Sequence, residues 1–205
     1  IPGGKEENVF SDSTSSNDLV WPYAVVLGHY SKGVASLWNT DPLAGNDNRL
    51  SRAKYHLTKL REASQLVDSD YHGMVSVADS SLDASIKFYP IHKNTTKSEI
   101  DHYKTDDLET VLELFQKARV EQDSWTYTEP PLWHSNLKLC EGTLLRIMGR
   151  YNESLYTFEA ELIDWPENRY ALYGLWQVLK EQGASTEKIR DIYDRFEDSS
   201  SYADT

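Results

Sequence analysis

From Leu19 onward, apolar residues recur at intervals of three and four, the spacing that gathers side chains on one face of an α-helix, and clusters of turn formers interrupt the pattern. Leu27, Tyr30, Val34 and Leu37 form the stripe of a first helix from about Leu19 to Trp38. Pro22 is admissible in its first turn, where the N–H it lacks has no intrahelical partner. DPLAGNDN ends that helix, and Leu50, Ala53, Leu57, Leu60 and Ala63 mark a second from about Asn48 to Val67. Val75, Ala78, Leu82, Ile86 and Tyr89 mark a third, which Pro90 is expected to stop, leaving Ile91 to Lys104 as a polar insertion. Asp106 or Asp107 is expected to cap a fourth, with Leu108, Val111, Leu112, Phe115 and Ala118 on its face. Beyond the bridge SWTYTEPPLWH lie a fifth helix, about Ser135 to Met148, and a sixth, about Asn152 to Asp164, with Gly149 between them and Pro166 after them. Leu172, Leu175, Trp176 and Leu179 mark a seventh, and Ile189, Ile192, Tyr193 and Phe196 an eighth. No segment carries the period-2 pattern of a strand. The predicted fold class is all-α, with antiparallel helix pairs at about 19–67, 74–121, 135–168 and 169–198. These belong to one helical array over 19–205, behind a disordered lead-in at 1–18 that is rich in Gly, Ser, Asn and acids.

The last two pairs are also copies of one another. A shift of 34 residues carries Leu145 onto Leu179, Gly149 onto Gly183, Leu155 onto Ile189, Phe158 onto Ile192 and Leu162 onto Phe196. A period of that length belongs to stacked helix pairs. One pair cannot bury its own apolar face, so pairs stack, and the stack leaves a long concave surface suited to holding another chain.

Residues 135–168 resemble a tetratricopeptide repeat. Gly142 matches the small residue midway along the first helix, Gly149 the glycine that closes it, Ser154 the small residue facing Gly142, Phe158 the aromatic that follows, and Pro166 the closing proline. Lys138, Glu141 and Leu145 depart from the pattern, where the family usually has Trp, Leu and Tyr. Residues 169–202 keep the period and Gly183, but Trp176 and Lys188 replace the small pair, so this unit is expected to act as a cap. HYSKGVASLW with RLSRAKYHLTKLREA resembles a further repeat, with Gly33 and Ala53 as its small pair, and LETVLELFQKA resembles a lone second helix. The set looks like the C-terminal end of longer, mostly bacterial tetratricopeptide proteins with more repeats upstream. The resemblance implies a right-handed α-solenoid and an interaction role, and no particular reaction.

Charge and composition narrow the partner. A net charge of −12, from 33 acids against 21 bases, argues against nucleic acid, whose binders present clustered Lys and Arg. It suits basic peptides or proteins better, besides serving solubility. The one cysteine, Cys140, cannot form an internal disulfide and sits among leucines, which points to a buried thiol. No apolar run approaches the ~20 residues of a membrane span. A soluble chain is expected, cytoplasmic by default, because the chain begins at Ile1 and any address would lie upstream.

Catalytic motifs are weak. Gly3-Gly4-Lys5 lacks the rest of a phosphate-binding loop, and Glu99 with His102 lacks the second pair that a di-iron bundle requires. The six histidines show no paired metal-ligand spacing. The reading is therefore a non-enzymatic scaffold without cofactor or metal that binds a protein or peptide partner. The alternative is an accessory C-terminal domain of a larger enzyme or metal-dependent protein whose site lies upstream. Helical spacing and repeat register turn Tyr30, Val34, Leu139, Thr143, Arg146, Tyr170, Tyr173, Gln177 and Lys180 toward the groove. The bridge supplies a second candidate surface, with Trp125, Tyr127, Trp133 and His134 as aromatic anchors around Pro130 and Pro131. Leu139 and Thr143 stand where a carboxylate-clamping repeat would place Lys and Asn, which argues against capture of a C-terminal carboxylate.

Overall fold

A computed structural model describes residues 20–38, 46–93, 105–126 and 136–201. The lead-in at 1–18, most of the 90–104 insertion, and the bridge residues Tyr127, Trp133 and His134 lie outside the described residues. Among the described residues there is no strand. The helices are α1 (Val20–Trp38), α2 (Asn46–Ser64), α3 (His72–Lys93), α4 (Thr105–Asp123), α5 (Leu137–Ile147), α6 (Tyr151–Asp164), α7 (Arg169–Gln182) and α8 (Thr186–Ser201). A short 3-10 turn, Ser69–Tyr71, precedes α3.

Three boundaries depart from the expectation: α2 ends at Ser64 and not near Val67, α4 begins at Thr105 and so holds Asp106 and Asp107 in its first turn and not at its cap, and α3 continues past its proline. α3 runs through Pro90 to Lys93 instead of stopping there. Proline forfeits the hydrogen bond to the carbonyl four residues back and crowds the preceding turn. In the last turn that loss touches a single bond, and Ile91, buried at 3% exposure, holds the chain against the core.

The joints of the last two pairs are written in backbone hydrogen bonds. Gly149, at φ 75°, turns the chain out of α5. Its N–H donates to the Arg146 carbonyl at 3.0 Å, and the Arg150 N–H donates to Leu145 at 2.9 Å. Gly183, at φ 71°, does the same after α7, with the Ala184 N–H donating to the Leu179 carbonyl at 3.0 Å. Both are Schellman motifs, in which a left-handed residue satisfies two carbonyls left open at a helix end. The N-termini repeat as well: Asn136 caps α5 by accepting from the Lys138 N–H, and Asn168 caps α7 by accepting from the Tyr170 N–H.

Each helix packs on its successor, and α1 packs on α3 as α5 does on α7. Within pairs the contacts run antiparallel, as in Ser154 Oγ donating to the Gly142 carbonyl at 2.7 Å, Tyr173 against Phe196, and Trp176 against Tyr193. Between first helices they run parallel. Tyr23 meets Met74, Gly33 meets Leu82, Trp38 meets Tyr89, and Arg146 meets Glu181. α3 and α5 make no contact of comparable extent, so the layer of first helices is split at its middle, where α4 on α5 carries the join.

The tight contacts centre on Phe158. A Cβ at Gly142 would lie 2.9 Å from its ring, and one at Gly174 would lie 2.3 Å from Cζ. Trp176, expected in the small-residue place of the last pair, faces Tyr193 across that pair, while the close approach between pairs falls at Gly174. Gly174 lets α7 close on α6, because the two helix starts are spaced by the caps Asn136 and Asn168 and not by the 34-residue period of the helix ends. At Gly33 the nearest atoms belong to Leu82 of α3 and His56 of α2, while Ala53 is fully buried.

Candidate functional site

A cavity of about 460 Å³ occupies the split in the first-helix layer. α1 contributes Tyr30, Val34 and Trp38; α3 contributes Ser81, Ser85 and Phe88; α5 contributes Leu139, Cys140 and Thr143; and α7 contributes Tyr170, Tyr173, Gly174 and Gln177. Phe115, Leu137 and Leu144 complete the walls. Tyr170 and Tyr173 line it while remaining 68% and 42% exposed, so the cavity opens to solvent beside α7.

Among the described residues that line the cavity, none is charged. The hydroxyls in the walls are already engaged with their own helices. Ser81 Oγ donates to the Val77 carbonyl at 2.6 Å, Ser85 Oγ to Ser81 at 2.8 Å and Thr143 Oγ1 to Leu139 at 2.8 Å. Gln177 Nε2 donates to Tyr173 Oη at 3.2 Å. Polar groups satisfied in this way make few demands on an occupant, so the surface behaves as more apolar than its composition. Cys140 adds no nucleophile, since burial pushes its thiol up to about 11 and leaves it protonated near neutrality.

All the expected groove residues except Arg146 and Lys180 stand on this cavity. Both exceptions lie in last turns of their helices. Arg146 Nη1 donates to Glu181 Oε1 at 2.6 Å, tying α5 to α7, and Lys180 Nζ sits 4.3 Å from the centroid of the Trp176 ring. The aromatic and basic groove thus becomes an aromatic and neutral one. Trp125, the one of the four aromatic bridge candidates described, packs at the start of α3 near Gly73, with its Nε1 donating to Glu121 Oε1 at 3.4 Å. It does not line the cavity. The contribution of α3 was not read from the sequence, because Ser81, Ser85 and Phe88 fall in a pair with no 34-residue partner to set its register.

Two buried carboxylates behind the α5 wall position it. Glu141 accepts from Gln116 Nε2 at 3.1 Å and forms a very short ion pair with Arg119 Nε, joining α5 to α4. Glu161, fully buried on α6, accepts from the side-chain amides of Asn136 and Asn168, the caps of α5 and α7. Burial pushes the Glu161 carboxyl above the usual range, against the two amide hydrogen bonds that favour its charged form. Lys138 adds exposed links to Asp164 at 2.6 Å and Asp123 at 3.3 Å. Elsewhere, His29 Nδ1 and His56 Nδ1 lie 3.0 Å apart between α1 and α2, both held below the usual imidazole range chiefly by burial. Among the described residues no group of three His, Cys, Asp or Glu gathers as a metal site would require, and no helix is long and apolar enough to cross a membrane.

The chain matches no family model, no curated protein and no solved structure.

Proposed function

We propose that the chain is a tetratricopeptide-like solenoid and a non-catalytic interaction module, holding a segment of a partner protein in the groove of its first helices. The observation that carries this reading is the convergence of α1, α3, α5 and α7 on one uncharged, aromatic, half-open cavity. Exposed tyrosines beside a concave apolar surface are the composition of energetic anchors at protein interfaces. The overall charge of −12 adds a field that draws basic flanking residues toward the molecule.

Selection of peptides from a displayed random library tests it. Replacing Tyr173 by Ala removes an aromatic wall with 42% of its surface in solvent, so the fold survives while binding suffers. Selected peptides are expected to bind the Tyr173→Ala chain about fivefold or more weakly, the equivalent of about 1 kcal/mol. Peptides that bind both chains equally well would place recognition elsewhere and defeat the groove reading.

A further inference from the structure

Resting on the groove reading, we infer that the cavity is the receptor for a single bulky, neutral side chain of the partner's segment, aromatic or branched aliphatic, and that this anchor rather than a charge sets specificity. Three observations converge on it. The first is the split between α3 and α5. In a continuous layer these helices would pack on each other as α1 does on α3 and α5 on α7. Here Ser81 and Ser85 on one side face the same space as Leu139 and Thr143 on the other, and about 460 Å³ stays open between them. That volume falls in the range of about 300–1,000 Å³ that holds drug-sized molecules, room for the bulkiest side chains together with the chain that carries them.

The second is the chemistry of the walls. A carboxylate, phosphate or ammonium entering the cavity would lose hydration without meeting an opposite charge among the described lining residues. The cations of α5 and α7 are turned to other groups: Lys138 pairs with Asp164 and Asp123, Arg146 Nη1 donates to Glu181, and Arg169 and Lys180 lie over the Tyr170 and Trp176 rings. A neutral apolar group loses nothing, because the serine and threonine hydroxyls already donate to their own helices.

The third is the mouth. A free small ligand is ordinarily enclosed over most of its surface, whereas this cavity runs out onto exposed Tyr170, Tyr173 and Trp38. Such a platform suits a chain that inserts one side chain and lays its neighbours across the rim.

The test uses N-phenyl-1-naphthylamine, a neutral probe whose fluorescence rises in apolar surroundings, titrated into the whole chain. Saturation at one probe per chain is expected, with about tenfold weaker binding of the similarly sized anion 8-anilino-1-naphthalenesulfonate. Thr143→Phe fills the cavity from α5 and Ser85→Phe fills it from α3. Each, with its helical circular dichroism retained, should weaken the probe at least about tenfold, so the test survives if one variant fails to fold. Peptides that require Tyr173 should displace the probe and share one bulky neutral residue. Probe binding that is unsaturable, or unchanged in both filled variants, overturns the inference. Peptides that need Tyr173 yet leave the probe in place also overturn it, making the cavity a small-ligand site while the groove reading stands. Peptides indifferent to Tyr173→Ala mark the separate failure of the groove reading.

Discussion

Between α1 and α5 the helices are joined by aliphatic burial. Leu37, Leu60, Leu82 and Leu112, one on each of the first four helices, belong to a single cluster that continues into Leu137, Leu144 and Leu145 of α5. The joint of α6 with α7 is built otherwise. Its buried cluster is smaller, Phe158, Ala171, Leu175 and Val178 with Leu139, Tyr151, Leu155, Leu162, Leu179 and Ile192 packed against it, and to that burial it adds two asparagine caps on one buried carboxylate and glycines that let a phenyl ring close the gap. Aliphatic burial is non-directional and tolerates repacking, since its free energy follows area. Caps and carboxylate clamps are directional and fail when one partner is lost. The cavity lies where the two styles meet, with α1 and α3 forming one side and α5 and α7 the other.

The strongest way to break this contrast is to remove its centre. Phe158→Ala is expected to cost about 3–5 kcal/mol, because the ring fills the space that Gly142 and Gly174 leave and those backbones have no side chains with which to collapse inward. Leu82→Ala in the larger core should cost about 2–5 kcal/mol. The decisive difference is in distribution. Hydrogen exchange should show Phe158→Ala lowering protection in α6, α7 and α8 while α1 to α4 keep theirs, and Leu82→Ala acting first on α1 to α4. Uniform loss along the whole chain in both variants would mean that the two cores unfold as one unit.

A smaller effect sharpens the polar half. Each asparagine uses its Oδ1 to cap a helix, which fixes its amide so that Nδ2 must face Glu161. Two fixed donors call for a group that accepts with both ends, which a carboxylate does and an amide cannot. Glu161→Gln, almost identical in volume, is therefore expected to destabilise by about 1–2 kcal/mol, seen as a lower urea midpoint with an unchanged slope. A variant as stable as the wild type near neutrality would show that the desolvation of Glu161 cancels what its two hydrogen bonds contribute.

What the sequence shows of all this follows from which forces leave marks at fixed spacing. Gly149 and Gly183 are legible because a left-handed turn admits few residues, and their 34-residue separation fixes the ends of α5 and α7. The starts are set by Asn136 and Asn168, which stand immediately before the apolar runs and could have been read as caps. Reading them would have aligned Gly174 with Gly142, as Asn168 aligns with Asn136. Glu141 and Glu161 also had a signal. Glu161 shares the inward face of Ser154 and Phe158, and Glu141 that of Leu137, Leu144 and Leu145. A charge inside an apolar stripe points to a buried partner, but the partner, as with Arg119, sits on another helix and has no sequence spacing. Register brought together the residues of α5 and α7 that line the cavity, whereas the share of α3 depends on where α3 parts from α5, which only packing decides.

The finest separation of the two regions is the sign of their response to acid. His29 and His56 are depressed below the usual imidazole value of 6.5 by burial, with Lys32 and Lys59 adding to the shift and Glu62 opposing it at His29, and His29, Lys32 and Arg52 adding to it at His56. A base whose folded pKa is lowered binds protons more readily when unfolded, so its contribution is present above 6.5 and is lost as pH falls through the lower folded value. Glu161 is raised above its ordinary 4.5, and it binds protons more readily when folded. Its contribution is fullest below 4.5 and declines as pH rises through the raised value, so acid favours this group in the folded chain. Hydrogen exchange corrected for intrinsic rates, compared at about pH 7.5 and pH 5, should show α1 and α2 losing protection while α6 and the start of α7 hold theirs. Replacing both His29 and His56 by Gln should remove the acid loss in α1 and α2, and Glu161→Gln should remove the acid response of the clamp, each leaving the other region's response intact. An acid loss in α1 and α2 that persists in the double His→Gln chain would assign it to the carboxylates of that pair instead, and the opposition of signs would then not belong to these two sites.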